Sequence, residues 1–235
     1  PLQISRLGLV PYKETWDLQK TLQRELIDGT GEDTLLLCEH PPTITLGRST
    51  APDSLIASKD ELERLGVELY EIERGGDITY HGPGQLVAYP IIDLRRKKTD
   101  VGWYMRALEE IVLKTLQHFE IIGNQIRGQT GVWTLSAEND KKNTPRKIAS
   151  IGIRLSRWCT LHGLSLNVQD CSSGFSLIHP CGFHDIEMTS IEQELALKEG
   201  RSSNTSAAEC SLNMMDVQEV FIDAFCDILM YRRTP

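Results

Sequence analysis

The stretch Arg74-Gly75-Gly76-Asp77-Ile78-Thr79-Tyr80-His81-Gly82-Pro83-Gly84-Gln85 places four glycines and a proline within twelve residues. That density excludes a helix and an ordinary packed core element, so a sheet-based fold must carry the segment as a loop between strand-like runs. Glycine admits close backbone approach, and Arg74, Thr79 and His81 add polar side chains. The segment reads as a loop wrapped against a ligand, with a wide turn between strands as the plainer alternative. It has neither the G-x-x-x-x-G-K-[ST] spacing of a phosphate-binding loop nor G-x-G-x-x-G, so nothing in it cradles a triphosphate or a dinucleotide.

The remaining chain supplies the sheet. Residues 4–10 read as a strand, followed by a helix over 12–27 with Trp16, Leu18, Leu22 and Leu26 near a 3.6-residue period. Residues 35–38, 43–46 and 67–72 read as strands, with a short helix at 59–65. A longer helix spans 100–119, capped by Thr99 or Asp100, and a second covers 217–228 through Val217, Val220, Phe221, Ala224, Phe225 and Ile228. Strands at 131–135, 147–155 and 160–168 complete the set, while 136–146 and 199–211 read as mobile surface loops. No repeat or composition shift divides residues 1–235, so the expectation is one α/β (α+β) domain. The balance of 25 Lys plus Arg against 33 Asp plus Glu leaves −8, which argues against a general nucleic-acid binder. No apolar run approaches the ~20 residues of a membrane span. Six cysteines without a C-x-x-C pair read as reduced thiols of a cytoplasmic or organelle-matrix protein.

Two further segments carry chemistry. If residues 156–159 form a four-residue hairpin loop, Leu155 faces Thr160 and Gly152 faces Gly163. Opposed glycines leave a notch beside the sheet that suits a slender ligand such as an acyl chain; a bulge or bend is the alternative. The other segment is His179-Pro180-Cys181-Gly182-Phe183-His184. A cysteine between Pro and Gly on a loop holds its sulfur in a fixed direction, as a nucleophile requires, and His179 and His184 make a metal site the competing reading. Cys38 and Cys226, in apolar elements, read as inert.

Together these segments resemble the lipoyl(octanoyl) transferase family. Residues 74–85 follow its signature R-G-G-x-x-T-[FYW]-H-x-x-[GH]-Q, then an apolar position and Tyr89. Lys147 with Ser150-Ile151-Gly152, then His162-Gly163-Leu164-Ser165-Leu166-Asn167 and His179-Pro180-Cys181-Gly182, follow in the family's order, so the resemblance covers about residues 4–184. It implies a mixed, largely antiparallel sheet flanked by helices, shared with lipoate and biotin protein ligases. It also implies an acyltransferase that moves an octanoyl group from octanoyl-acyl carrier protein to the target lysine of lipoyl domains, in 2-oxoacid dehydrogenase complexes and the glycine cleavage H protein. The thioester nucleophile falls on Cys181, and the lysine that lowers its pKa on Lys147. Substrate contacts fall on Arg74, Gly75, Gly76, Asp77, Ile78, Thr79, Tyr80 and His81, on Ser150, Ile151 and Gly152, and on Gly163, Leu164 and Ser165. The polar 136–146 stretch is longer than in many members, and 199–211 carries no family motif.

An acyl thioester is already activated, so no ATP, cofactor or metal is expected. A protonated Lys147 would favour the thiolate and a neutral one could act as base; both stay open. Either of His81 and His162 could orient or protonate the leaving thiol, or make a structural hydrogen bond. Acidic carrier and lipoyl domains would need a local basic face, for which Arg95-Arg96-Lys97-Lys98, Lys141-Lys142 and Arg146 are candidates on a monomer. The rival readings are an ATP-dependent lipoate or biotin ligase, an amidotransferase between carrier domains, and a catalytically silent acyl-binding protein.

Overall fold

A computed structural model describes residues 1–135, 145–179, 186–199 and 212–233. Strand β1 (Leu2–Leu9) leads through helix α1 (Tyr12–Asp28) into β2 (Asp33–Glu39), and the two strands pair in parallel. From β2 the main sheet continues antiparallel through β6 (Gln85–Ile91), β10 (Cys159–Asn167), β9 (Arg146–Ser156), β8 (Gln129–Thr134) and β7 (Gly123–Ile126). The two-residue strand β11 (Glu187–Met188) adds in parallel to β9. A smaller sheet places β3 (Thr43–Leu46) between β4 (Glu68–Glu71) and β5 (Ile78–His81). The mixed, largely antiparallel architecture expected from the sequence is therefore present.

Helices cover both faces of the main sheet. Helix α3 (Val101–His118) and helix α6 (Met214–Ile228) bury Leu108, Ile111, Phe221 and Phe225 against Leu35, Leu37, Leu164 and Leu166. Asp100 caps α3 by accepting from the Trp103 N–H at 2.9 Å, which satisfies one of the open donors of the first turn. On the opposite face α1 buries a largely polar stripe, Tyr12, Thr15, Gln19, Gln23 and Leu26, whereas Leu18, expected on the apolar face, is exposed. The strand beneath explains this. Gln19 Oε1 accepts from the His162 N–H and Gln23 Nε2 donates to the Cys159 carbonyl, so the helix completes hydrogen bonds the sheet leaves open. The small sheet closes a third cluster, Ile44, Tyr80, Phe175 and Ile178, with helices α2 (Lys59–Leu65) and α4 (Ser172–Phe175) alongside.

The β9–β10 hairpin has the expected register, with Leu155 opposite Thr160 and Gly152 opposite Gly163. Its loop is tighter than expected. Ser156 pairs with Cys159, and only Arg157 and Trp158 turn the chain, both at positive φ (50° and 67°) as a type I′ turn requires. Strand β10 bonds β6 over Leu164–Asn167, breaks at His162, whose φ is +62°, and resumes where the Thr160 N–H meets the Ile92 carbonyl. Pro90 stands at that break, and without an N–H it cannot continue the ladder.

Several expectations need correction. Residues 78–81 of the glycine-rich segment are not loop but the buried strand β5, because Ile78 and Tyr80 alternate with Thr79 and His81 in the pattern of a two-sided strand. Arg146 belongs to β9 rather than to a surface loop: it is buried, with Nε 2.9 Å from Glu194 Oε1 on helix α5 (Ile191–Lys198). Residues 136–144 and 200–211 lie outside the described residues, so the mobility expected of them is not addressed.

Candidate active site

A cavity of about 260 Å³ opens on the α1 side of the main sheet, between β9, β10 and the small sheet. Strand β9 brings Lys147, Ser150, Ile151 and Gly152 to it, and β10 brings His162, Gly163, Leu164 and Ser165. The loop and strand before β6 add Arg74, Gly76, Asp77, Ile78, Thr79 and His81. Thus the stretch from Arg74 to His81 and the β9–β10 hairpin, far apart in the chain, meet in one cavity. Two of the expected contact residues do not line it. The Gly75 N–H donates to the Ile153 carbonyl at 2.9 Å, tying the loop to β9, and Tyr80 points the other way, packing on Phe175 with ring centroids 5.6 Å apart. Cys181 lies outside the described residues.

Lys147 reaches the cavity because of a bulge. Val132 pairs with Ala149 and Trp133 with Lys147, leaving Ile148 as one extra residue on β9. Such an insertion reverses the alternation of side chains, so Lys147 joins the face of Ser150 and Gly152. Its side chain is 2% exposed, with Nζ 5.2 Å from the Trp133 ring centroid. Trp133, expected only as a strand residue, also lines the cavity, as do Gln129 and Thr130, which precede the strand expected at 131–135.

The opposed glycines do not leave an empty notch. A Cβ on Gly163 would stand 2.1 Å from the Ala88 carbonyl oxygen, and one on Gly152 3.0 Å from both Arg74 Cδ and the Gly75 carbonyl. Protein fills both places: β6 approaches Gly163, and the Arg74 stem lies over Gly152. Arg74 then donates from Nη2 to the Thr45 carbonyl at 2.7 Å and from Nη1 to the Gly75 carbonyl at 3.1 Å. The cavity opens beside these contacts.

At the Tyr12 end, hydrogen bonding fixes the protonation of two histidines. The Thr189 carbonyl can only accept, so Asn167 presents Nδ2 to it (2.9 Å) and Oδ1 to Gln85 Nε2 (2.9 Å). Gln85 Oε1 is left to accept from His81 Nδ1 at 2.8 Å, so His81 carries its proton on Nδ1 and its lone pair on Nε2. By the same reasoning His40 Nδ1 donates to the Val10 carbonyl (2.7 Å) and His40 Nε2 accepts from the Tyr89 hydroxyl (2.8 Å). Burial pushes His81 down to about 3, helped by His40 nearby, and pushes His40 down to about 4. Both are neutral at pH 7. Tyr12, which stacks on His81 with centroids 5.8 Å apart, and Tyr89 line this end as well. His162 is also held toward the neutral form by burial, against a pull from Glu73. Its Nε2 is 3.8 Å from Glu73 Oε2, beyond hydrogen-bonding reach, and neither ring nitrogen has a hydrogen-bond partner among the described residues.

A buried lysine, a neutral acceptor-bearing histidine and a cavity beside the paired glycines are thus brought together. Residues 11–226 match the family model described as the lipoyl protein ligase A/B catalytic domain. The chain belongs to that family. It is 47% identical over 195 residues to an octanoyltransferase of Chloroflexus aurantiacus, covering 83% of this chain and 84% of that one. An octanoyltransferase of Christiangramia forsetii is 39% identical over 240 residues, covering 97% and 95%. Among solved structures, a lipoate-protein ligase A bound with ATP superposes with a TM-score of 0.67 at 15% identity, over 99% of this chain and 87% of that one. A bipartite lipoate protein ligase from Thermoplasma acidophilum gives 0.65 at 14% identity, over 99% and 86%. These likenesses establish the fold of a lipoate-ligase-like domain.

The other cysteines of the described residues stay out of the site. Cys38, Cys159, Cys171 and Cys226 are free and buried, and burial pushes Cys171 up to about 12. No helix among the described residues is long and apolar enough to cross a membrane. The basic run of the sequence lies against acidic residues of its own chain and stays partly exposed. Arg95 pairs with Asp93, and Arg96 with Asp33 and Asp93, while the Arg95 side chain reaches the Leu26 carbonyl at the far end of α1. Tyr12, at the cavity, and Leu26 are fourteen residues apart on that helix, or roughly 21 Å.

Proposed function

We propose that this chain is an octanoyltransferase that takes the octanoyl group from octanoyl-acyl carrier protein, holds it as a thioester on Cys181, and delivers it to the target lysine of a lipoyl domain. Octanoyl transfer itself is carried by the relatives that share 39–47% of its residues over most of their length. The observation supporting the residue roles is that Lys147, the Ser150–Gly152 strand segment, Gly163–Ser165 and, from the stretch before β6, Arg74, Gly76, Asp77, Ile78, Thr79 and His81 line one cavity. Fold likeness alone would suit an ATP-dependent ligase equally well. Cys181 flanked by Pro180 and Gly182 favours thioester exchange instead.

In this reading the donor's C–S bond breaks as the Cys181–acyl bond forms, and the lysine amine then displaces the sulfur to leave an amide. Lys147, buried at the cavity, is assigned the proton transfers of both steps in this reading. His81 is not suited to protonate the leaving thiol. With its ring near pKa 3, only about one molecule in 10⁴ would carry the extra proton at pH 7. It acts as an acceptor that orients. Free, buried thiols suit a reducing compartment. Intact-protein mass spectrometry after mixing with octanoyl-acyl carrier protein tests the route: a hydroxylamine-labile gain of about 126 Da, absent in Cys181→Ala, is expected. Acylation of a lipoyl domain by the Cys181→Ala protein would refute the intermediate, and a requirement for free octanoate with Mg-ATP would favour the ligase.

A further inference from the structure

Position 131 on β8 decides where Lys147 can lie. Gly131 has φ +122°, a conformation side-chain-bearing residues rarely adopt. A Cβ there would stand 2.5 Å from the Ala149 carbonyl oxygen, 2.8 Å from Lys147 Cε and 3.5 Å from Lys147 Nζ. Lys147 starts opposite Trp133 in the β8–β9 register, so its side chain runs diagonally across β8 from the Trp133 ring to the bare backbone of residue 131. Trp133 forms one wall of this corridor and Gly131 its floor. The floor is pinned from the other side of the strand pair, because Glu109 of α3 accepts from the Gly131 N–H at 3.2 Å.

We propose that Gly131 is a positioning residue for Lys147: the absence of a side chain there, with Glu109 holding the backbone, sets the depth to which Nζ enters the cavity. This rests on the catalytic reading of Lys147, and the two are separable. A methyl group at 131 meets the Ala149 carbonyl oxygen and the last two atoms of the lysine, and these nearest neighbours include no atom of β10 or of the Arg74 loop. The loss therefore falls on the chemical step rather than on binding.

The experiment compares wild type, Gly131→Ala, Trp133→Leu and Lys147→Met in octanoyl transfer to a lipoyl domain. Competitive acetylation of Lys147 is followed in parallel by mass spectrometry across pH. Gly131→Ala is expected to lower kcat about 100-fold with KM for the donor within about threefold, and to shift the pH dependence of Lys147 acetylation. If Gly131→Ala does not fold, Trp133→Leu opens the other wall and is expected to move the same acetylation profile. A Gly131→Ala protein, or failing that a Trp133→Leu protein, with wild-type kcat and acetylation profile overturns the inference. Full transfer by Lys147→Met would instead overturn the catalytic role of the lysine, while the acetylation profiles would still report whether residue 131 places it.

Discussion

Replacing Glu194 by Ala probes what holds the strand that carries Lys147. Both oxygens of Glu194 engage Arg146, at 2.9 Å from Nε and 3.0 Å from Nη2, and Oε1 also accepts from Thr134 Oγ1 (3.1 Å) and Thr189 Oγ1 (2.6 Å). The side chains are 8% and 9% exposed, so solvent does little to replace the two charge-assisted hydrogen bonds that the substitution removes. Removing one member of such a pair costs about 3–5 kcal/mol. In a protein of this size each kcal/mol lowers Tm by roughly 2–4 °C, so Glu194→Ala should melt about 6–20 °C below wild type. Differential scanning calorimetry reads that shift. Because Arg146 opposes Glu187 and Lys147 opposes Met188 in the β9–β11 pairing, octanoyl transfer should fall in the same variant at a temperature where it is still folded. The double variant Arg146→Leu, Glu194→Leu should recover most of the lost stability, since two apolar side chains leave no buried charge. A single-variant shift under 2 °C, or a double variant at the sum of the singles, would refute the reasoning.

Other outcomes follow from the same geometry. Gly163→Ala should abolish soluble expression or destabilise strongly, because its methyl would meet backbone at 2.1 Å, whereas Gly152→Ala should fold and raise KM by shifting Arg74; equal effects on a thermal melt would contradict this. Gln85→Glu puts a carboxylate on the Nδ1 side of His81, which favours the imidazolium and raises its pKa, so NMR titration of the His81 ring should show an inflection well above the native value near 3. His40, near 4 when folded against 6.5 as a free side chain, contributes stability that is complete above pH 6.5 and withdrawn as pH falls toward 4. The loss is on the order of 3 kcal/mol, and urea melts of wild type and His40→Gln at pH 7 and 4.5 should show a smaller acid penalty in the variant.

Much of the fold was legible because periodicity and turn chemistry act locally. Helix α3 and its Asp100 cap, and the pairing of Gly152 with Gly163, follow from spacing alone. Strand β5 was hidden because glycine density outweighed the four-residue alternation of Ile78 to His81. The polar stripe of α1 was unreadable for a different reason. Gln19 and Gln23 look like a solvent face until β10 presents the His162 N–H and the Cys159 carbonyl that they meet. The site shows the same division. Lys147, Ser150 and the Arg74 loop stood out as motif residues, but Tyr12 reaches the cavity from a helix start and Lys147 turns to it beside Trp133 through a one-residue bulge, which no pattern of one sequence marks. Arg146 read as a loop cation because burial beside Glu194, 48 residues away, is a tertiary event.

The strand order carries a cost during synthesis. Strand β6 is complete at Ile91, but β10, its partner on one side, ends at Asn167, about 75 residues later. At roughly 5–20 residues per second the edge of β6 waits about 4–15 s on the ribosome with nothing beside it. A waiting apolar edge, Gln-Leu-Val-Ala-Tyr-Pro-Ile, is a template for strands of other chains. Pro90 lies on that edge: its carbonyl later accepts from Thr160 Oγ1, and the N–H missing beside it denies an intruding strand one bond of its ladder. The residue that interrupts the finished sheet thus guards the nascent one against aggregation, and Pro90→Val should lower the soluble yield of newly made protein more than it lowers the Tm of the protein that does fold.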